Sequence, residues 1–205
     1  CSTSPLSPRP SGGRWPEERP LKPLEQCQVT IVGLGLMGGS LAGGLRPHCR
    51  SVVGVARRQD SVDIALKRRL INRGTIDLAE GLVDADIVVL ATPVRVILRQ
   101  LKTIGPLLPH GCLLIDLGST KADIITAMGD LPDHVQPLGG HPMCGKETSG
   151  IDAADPIIYH GATFILTPLE RTSEEALALG RALARAAGSR PLVLSAERQD
   201  FLVGT

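Results

Sequence analysis

Aromatic side chains are almost absent from this 205-residue sequence, which contains two phenylalanines, one tyrosine and one tryptophan. Proteins that bind single-stranded nucleic acid stack its bases on aromatic rings, so this class of function is disfavoured. The formal net charge of +1 gives no basis for attraction to nucleic acid or to a membrane surface. No apolar run reaches the roughly 18 residues that a membrane span requires. We therefore expect a soluble protein whose partner is a small molecule.

The five cysteines are scattered, without a Cys-x-x-Cys pair and without a cluster of cysteine and histidine. The sequence therefore predicts no metal site and no disulfide framework. Cysteine used in this way is typical of a reducing compartment, so the expected localisation is cytoplasmic. Cys27 and Cys112 lie in or beside predicted strands, and we expect them to be small buried residues.

Composition divides the chain into three parts. Residues 1–26 are rich in proline, serine, glycine and arginine, and this composition predicts a disordered leader. Residues 27–196 are expected to form the main domain, and residues 197–205 the start of a second, helical domain. Because the chain starts at Cys1 and stops at Thr205 without a helix stop signal, we expect it to be a fragment of a longer protein.

From Cys27 onward, short apolar runs alternate with helix-like segments. The predicted strands cover residues 28–32, 51–56, 87–91, 111–116, 135–138, 163–167 and 191–195. The predicted helices cover residues 37–45, 61–70, 77–81, 94–104, 121–128 and 173–187, the last with Ser173 as its N-cap. Strands that are apolar along their whole length are typical of a parallel sheet with both faces covered. The predicted fold class is α/β, a Rossmann-type doubly wound parallel sheet.

Three glycines with G-x-G-x-x-G spacing, Gly33, Gly35 and Gly38, follow the first strand and open the first helix. In a dinucleotide-binding turn, the first glycine makes the tight turn and the second lets the backbone approach a pyrophosphate. The third glycine allows the helix to pack against its strand. These glycines, with Leu36 and Met37 between them, are the predicted cofactor-binding turn. The alternative is a purely structural strand–turn–helix.

The residues that follow the next two predicted strands are further candidates for cofactor binding, and those after the second strand indicate which dinucleotide is bound. No carboxylate stands at the tip of the second strand to accept hydrogen bonds from a ribose 2′-hydroxyl; instead Arg57 and Arg58 follow it. Two guanidinium groups suit the 2′-phosphate of NADP, so NADP is favoured and NAD remains possible. The alternative is a solvated arginine pair that opens a helix. Thr92 and Pro93 follow the third apolar strand and are expected to contact the cofactor through their backbone.

Two residues later in the chain are candidates for chemistry. Ser119 lies at a loop-to-helix junction, where its position alone favours a helix N-cap over a catalytic hydroxyl. His141 lies in a glycine-rich loop expected just past a strand end, and an imidazole there could take a proton from a hydroxyl while hydride leaves the same carbon. A structural histidine is the alternative.

Five runs of residues together resemble the prephenate/arogenate dehydrogenase family of tyrosine biosynthesis. They are I-V-G-L-G-L-M-G-G-S-L-A, A-T-P-V, D-L-G-S-T-K, G-G-H-P-M-C-G-K-E-T-S-G-I and F-I-L-T-P. The resemblance implies oxidative decarboxylation of a cyclohexadiene that carries a 4-hydroxyl and a ring carboxylate. Hydride passes to the nicotinamide, the hydroxyl loses its proton, and carbon dioxide leaves as the ring becomes aromatic.

The resemblance also assigns roles to residues. The family's catalytic histidine matches His141, which would polarise or deprotonate the 4-hydroxyl. Its serine matches Ser119, expected to hydrogen-bond that hydroxyl and to orient the imidazole beside the cofactor. Glu147 matches an acidic position of the substrate pocket in some members. The family's helical domain, which forms the homodimer and supplies an arginine for the substrate carboxylate, is not expected within these residues, so we expect the fragment to bind cofactor and turn over poorly.

Two features qualify the match. Many family members carry a histidine where this chain has Gln199, and the family's G-S-V-K is here G-S-T-K. Two other functions also fit a dinucleotide-binding fold: a β-hydroxyacid dehydrogenase or imine reductase, and a non-catalytic nucleotide-sensing domain. Neither the choice between prephenate and arogenate nor feedback by tyrosine is decided by the sequence.

Overall fold

The computed structural model describes residues 20–203, which form one sheet of eight strands with helices on both faces. The strands are β1 (Gln28–Val32), β2 (Ser51–Val55), β3 (Arg73–Thr75), β4 (Ile87–Leu90), β5 (Leu113–Asp116), β6 (Gln136–Pro142), β7 (Thr163–Pro168) and β8 (Arg190–Val193). The helices are α1 (Leu36–Leu45), α2 (Gln59–Lys67), α3 (Leu78–Leu82), α4 (Val94–Ile104), α5 (Ala122–Gly129), α6 (Glu174–Ala186) and α7 (Ala196–Val203).

The strand order is β3-β2-β1-β4-β5-β6-β7-β8, and the pairs from β3 to β6 are all parallel. This order confirms the doubly wound sheet, because the chain moves outward from β1 in both directions. One pair departs from the prediction: β6 and β7 are antiparallel. Residues 143–162 return to the sheet at the end where β6 stops, with only a short 3-10 helix (Pro156–Tyr159) between the strands. A parallel pair would need a crossover to the opposite end of the sheet.

Alternate side chains of the central strands enter two separate cores. On β4, Ile87 and Val89 pack with α1, α2 and α6, whereas Val88 and Leu90 pack with α3, α4 and α5. Every residue of β4 is buried, as an apolar strand covered on both faces should be. The two cores therefore hold the sheet rigid from both sides, and the loops at its carboxyl edge are carried on that scaffold. Cys27 and Cys112 are buried, as predicted.

The start of the domain differs from the prediction. Residues 1–19 of the predicted leader lie outside the described residues. Residues 20–26, however, are packed against the sheet: Leu24 is buried in a short 3-10 helix, and Lys22 Nζ lies 2.8 Å from Asp86 Oδ1. The prediction of disorder is therefore wrong for residues 20–26, because one buried leucine and one ion pair outweigh the local proline content.

Two local features differ from the prediction, and one predicted cap is confirmed. The second helix ends at Lys67 rather than at residue 70; Leu66 on it is 39% exposed, and Arg69 has a φ of 56°. Strand β3 was not predicted, because its three residues contain a glycine and no apolar side chain. Ser173 does cap α6, where its side chain accepts from the Ala176 N–H. None of the helices among residues 20–203 has the length and apolarity to cross a bilayer.

Candidate active site

The glycine turn after β1 is held by close backbone packing. Gly33 has a φ of +110°, a conformation that L side chains rarely adopt, and a Cβ on it would lie 2.8 Å from the Ala91 carbonyl oxygen. A Cβ on Gly38 would overlap the Gly33 carbonyl oxygen. Both positions therefore require glycine so that α1 can pack against β1 and the β4 end. This part of the motif is explained by the fold alone.

Gly35 differs, because the fold does not require it. A Cβ on Gly35 would have no atom within 4 Å, so it would point into open space. Gly35 is also the N-cap of α1, where no side chain accepts from the free N–H groups of Leu36 and Met37, and the first turn carries no acidic residue. A helix N-terminus with free N–H groups attracts an anion. The arrangement fits the pyrophosphate of a dinucleotide, which would approach at the space that a Gly35 side chain would fill.

The β2 and β4 ends border this turn, since β1 pairs with both strands in parallel. Arg57 and Arg58 are exposed after β2, and Arg58 is the N-cap of α2. The nearest acidic residue that follows is Asp60, within the first turn of α2. Thr92 Oγ1 donates to Gln100 Oε1 at 2.7 Å, and Pro93 is the N-cap of α4. The cofactor candidates therefore share one edge of the sheet.

A buried ion pair closes the end of β5. Asp116 and Lys121 are both fully buried, and Lys121 Nζ donates to Asp116 Oδ2. The Asp116 carboxylate also accepts from the N–H groups of Gly118 at 2.7 Å and Gly140 at 3.1 Å. Burial raises the pKa of Asp116 and lowers that of Lys121, and the attraction between the two groups opposes both shifts. The pair ties the β5 end to β6.

Ser119 is not the N-cap of α5, contrary to what its position suggested. The N-cap is Lys121, and the Asp200 carboxylate from α7 accepts from the Lys121 N–H at 2.6 Å and the Ala122 N–H at 2.8 Å. A carboxylate here also complements the positive end of the helix dipole. The Ser119 residue is thus left exposed beside the β5 end.

His141 is part of strand β6 rather than of a loop beyond it. It pairs with Ile165 of β7 in the antiparallel ladder, which the prediction of a shorter strand missed. The ring is half-buried, and its Nδ1 atom lies 3.4 Å from the Gln199 amide nitrogen. Burial, helped by the Lys121 charge and opposed by Asp200, lowers the pKa of His141 from 6.5 to about 4. The imidazole is therefore neutral at physiological pH and held on a rigid strand.

Gln199 is fully buried and connects three elements. Its amide nitrogen lies 3.3 Å from the Ser119 carbonyl oxygen, and its amide oxygen accepts from Thr167 Oγ1 at 3.1 Å. In the sequence, Gln199 stands out only as a departure from a family pattern, and no local pattern assigns a role to Asp116, Lys121 or Asp200. The contacts of α7 described here join residues 32 to 80 positions apart in the chain, so no local sequence pattern reports them.

Glu147 lies apart from these contacts. It is exposed on the loop that follows β6, and no hydrogen bond among residues 20–203 joins it to the other candidate residues. Those same residues contain no group of three or more histidine, cysteine or acidic side chains arranged to hold a metal ion. The described chemistry at this edge therefore consists of an imidazole, a hydroxyl and an open helix N-terminus.

The sequence of the chain matches a known protein family. The family model described as "Prephenate dehydrogenase, nucleotide-binding domain" matches residues 41–192. The chain is similar to prephenate dehydrogenase of Lactococcus lactis subsp. cremoris, with 35% identity over 86% of this chain and 49% of the relative. The chain thus spans about half the length of the curated relatives it matches.

Solved structures of prephenate and arogenate dehydrogenases have a similar fold. The fold is similar to that of prephenate dehydrogenase from Aquifex aeolicus in complex with hydroxyphenyl propionate and NAD+, with a TM-score of 0.82 and 30% identity over 90% of this chain and 65% of that one. It is also similar to Synechocystis arogenate dehydrogenase, with a TM-score of 0.80 and 33% identity over 86% of this chain and 62% of that one.

Proposed function

The chain belongs to the prephenate dehydrogenase nucleotide-binding domain family, and from that premise we propose that it binds NADP or NAD for the oxidative decarboxylation of prephenate or arogenate. The observation that carries this proposal is the position of His141. A half-buried, neutral imidazole lies on β6, and the open N-terminus of α1 lies at the carboxyl edge of the same sheet. In sheets of this type, ligands bind outside the carboxyl ends of the strands.

Different residues of the chain would bind the cofactor and the substrate in this reaction. The α1 N-terminus at Gly35 would hold the pyrophosphate, and the backbone at Thr92 and Pro93 would line the nicotinamide side. A nicotinamide bound there would supply the acceptor for hydride from the carbinol carbon of the substrate. His141 would contact the 4-hydroxyl, Ser119 would hydrogen-bond it, and Glu147 would line the substrate pocket.

NADP is the cofactor that the β2 end supports best. Arg57 and Arg58 are exposed there and follow the end of β2 directly, with Asp60 the next acidic residue, so guanidinium groups rather than a carboxylate stand at the strand tip. The NAD+ in the Aquifex aeolicus structure keeps NAD as the alternative. Arg57→Asp should weaken NADP binding more than NAD binding, measured by titration calorimetry. The same charge change at Arg185, exposed on α6, is the matched control and should leave both affinities unchanged; equal weakening of both cofactors by Arg57→Asp would refute the assignment.

The reaction itself is tested by an assay of the full-length natural protein with each of the two substrates and each of the two cofactors. Reduced nicotinamide and carbon dioxide should appear in equal amounts with at least one combination. A homodimer is expected for that protein, and sedimentation would show it. Dinucleotide binding without turnover of prephenate or arogenate would contradict the proposed reaction and favour a nucleotide-sensing domain.

A further inference from the structure

The Gln199 amide has one orientation that satisfies all of its neighbours. The Ser119 carbonyl oxygen, 3.3 Å from the amide nitrogen, can only accept a hydrogen bond, so the NH₂ group must face it. Thr167 Oγ1 can donate or accept, and it donates to the amide oxygen in this orientation. The reversed amide would place its oxygen against the Ser119 carbonyl oxygen inside a fully buried site, where an unsatisfied polar contact is costly.

The same NH₂ group faces Nδ1 of His141 at 3.4 Å. A neutral imidazole has one nitrogen that donates and one that accepts, and the partner of one nitrogen sets the tautomer. We propose that Gln199 is a positioning residue that donates to Nδ1 of His141 and thereby keeps the imidazole proton on Nε2. The ring then presents an N–H donor, not a lone pair, at its other nitrogen.

The charged groups around the ring are consistent with a neutral imidazole. Lys121 approaches from the start of α5 and disfavours protonation, whereas Asp200 of α7 favours it. The Asp200 carboxylate is already engaged by the N–H groups of Lys121 and Ala122, and Asp116 of β5 is paired with Lys121. The β7 partner of His141 is Ile165, which does not titrate. Among the described residues, no carboxylate therefore competes with Gln199 for a hydrogen bond to Nδ1.

The consequence for the chemistry rests on the proposed function. Hydride would leave the carbinol carbon with the C–H electron pair, and the oxidised nicotinamide would be its acceptor. The bond between the ring and its carboxylate breaks, carbon dioxide is released, and the electron pair of that bond enters the ring. The substrate oxygen carries one proton before the reaction and one in the phenol afterwards. No net proton acceptor is needed, so an Nε2–H donor can bind that oxygen throughout, while a neighbouring acceptor such as Ser119 Oγ receives the hydroxyl proton in a hydrogen bond.

Nitrogen-15 NMR of the histidine rings in this chain tests the tautomer directly, because protonated and unprotonated ring nitrogens resonate far apart. The His141 signals are assigned by their loss in His141→Asn. At neutral pH, we expect Nε2 to be protonated and Nδ1 unprotonated. In Gln199→Glu, the carboxylate accepts from Nδ1–H, so the tautomer should reverse and the pKa of His141 should rise.

Two further variants keep the test decisive. Gln199→Met removes the amide at similar length and should leave a mixture of both tautomers, whereas Thr167→Val retains the amide and should keep the parent pattern. A proton on Nδ1 in the parent chain, or one unchanged tautomer in both Gln199 variants, would overturn the proposal. Because this measurement requires no turnover, failure of the full-length protein to oxidise either substrate would refute the proposed function separately.

Discussion

The two halves of the carboxyl edge are built by different means. Beside β1, β2 and β4, the site consists mainly of backbone and glycine, with the exposed Arg57 and Arg58 after β2, and its contacts lie within the motif or between adjacent strands. Beside β5 and β6, it consists of buried polar side chains joined to α7. The first half can therefore be recognised from a short sequence motif. The second half depends on contacts between residues that are distant in the chain. It also depends on the buried ion pair between Asp116 and Lys121.

The largest effect should come from the side-chain half. His141→Asn removes the imidazole while keeping a polar group of similar size, and turnover of the full-length protein should fall roughly 100- to 10,000-fold. Cofactor affinity should be retained, because the glycine turn is untouched. The exposed His48, changed in the same way, serves as the control and should leave turnover unchanged. Full activity of His141→Asn would assign the β5–β6 half a structural role.

The buried pair should dominate the stability of that half. Lys121→Met leaves the Asp116 carboxylate buried without its cation, and the free energy of unfolding should fall by about 3–5 kcal/mol. The double variant Asp116→Asn with Lys121→Met should recover part of this loss, since no uncompensated charge remains. Urea denaturation measures all three proteins, with Lys102→Met on the exposed face of α4 as the control. A loss no larger than that of the control would show that the pair does not hold the site.

The free energy of unfolding should depend on pH through His141, which belongs to the side-chain half. The pKa of His141 is lowered to about 4 in the folded chain, so between about pH 6.5 and 4 the unfolded ring binds a proton and the folded ring does not. Stability should therefore decrease as the pH falls through this window, by about 1–2 kcal/mol after allowance for the partial exposure of the ring. Denaturation of the parent and of His141→Asn at both ends of the window should show this difference. Equal pH dependence of the two proteins would contradict the lowered pKa.

The sequence predicted the sheet better than the site, for physical reasons that particular residues illustrate. The apolar runs of β1, β4 and β5 and the cap at Ser173 depend on local pattern, and the structure confirms them. The position of Ser119 suggested an N-cap, but Asp200 supplies that cap from α7.

The antiparallel pairing of β6 with β7 had no local signal either. It places His141 inside a strand and depends on the course of residues 143–162. The contact of Gln199 with His141 likewise depends on the packing of α7 against β6 in the folded chain. Periodicity and spacing do not report long-range contacts of this kind. His141 and Ser119 could be named as candidates from the sequence, but their connection to Lys121, Gln199 and Asp200 could not.

We propose that the backbone half binds a dinucleotide at the N-terminus of α1, and the variant Gly35→Ala tests this binding. A Cβ at Gly35 meets no atom within 4 Å, so the free energy of unfolding should change by no more than about 0.5 kcal/mol. The methyl group would occupy the path of the pyrophosphate, so affinity for NADP and NAD should fall at least about tenfold by titration calorimetry. Gly129→Ala, which also meets no atom within 4 Å and ends α5, is the matched control and should bind as the parent does. Unchanged affinity in Gly35→Ala would contradict the account.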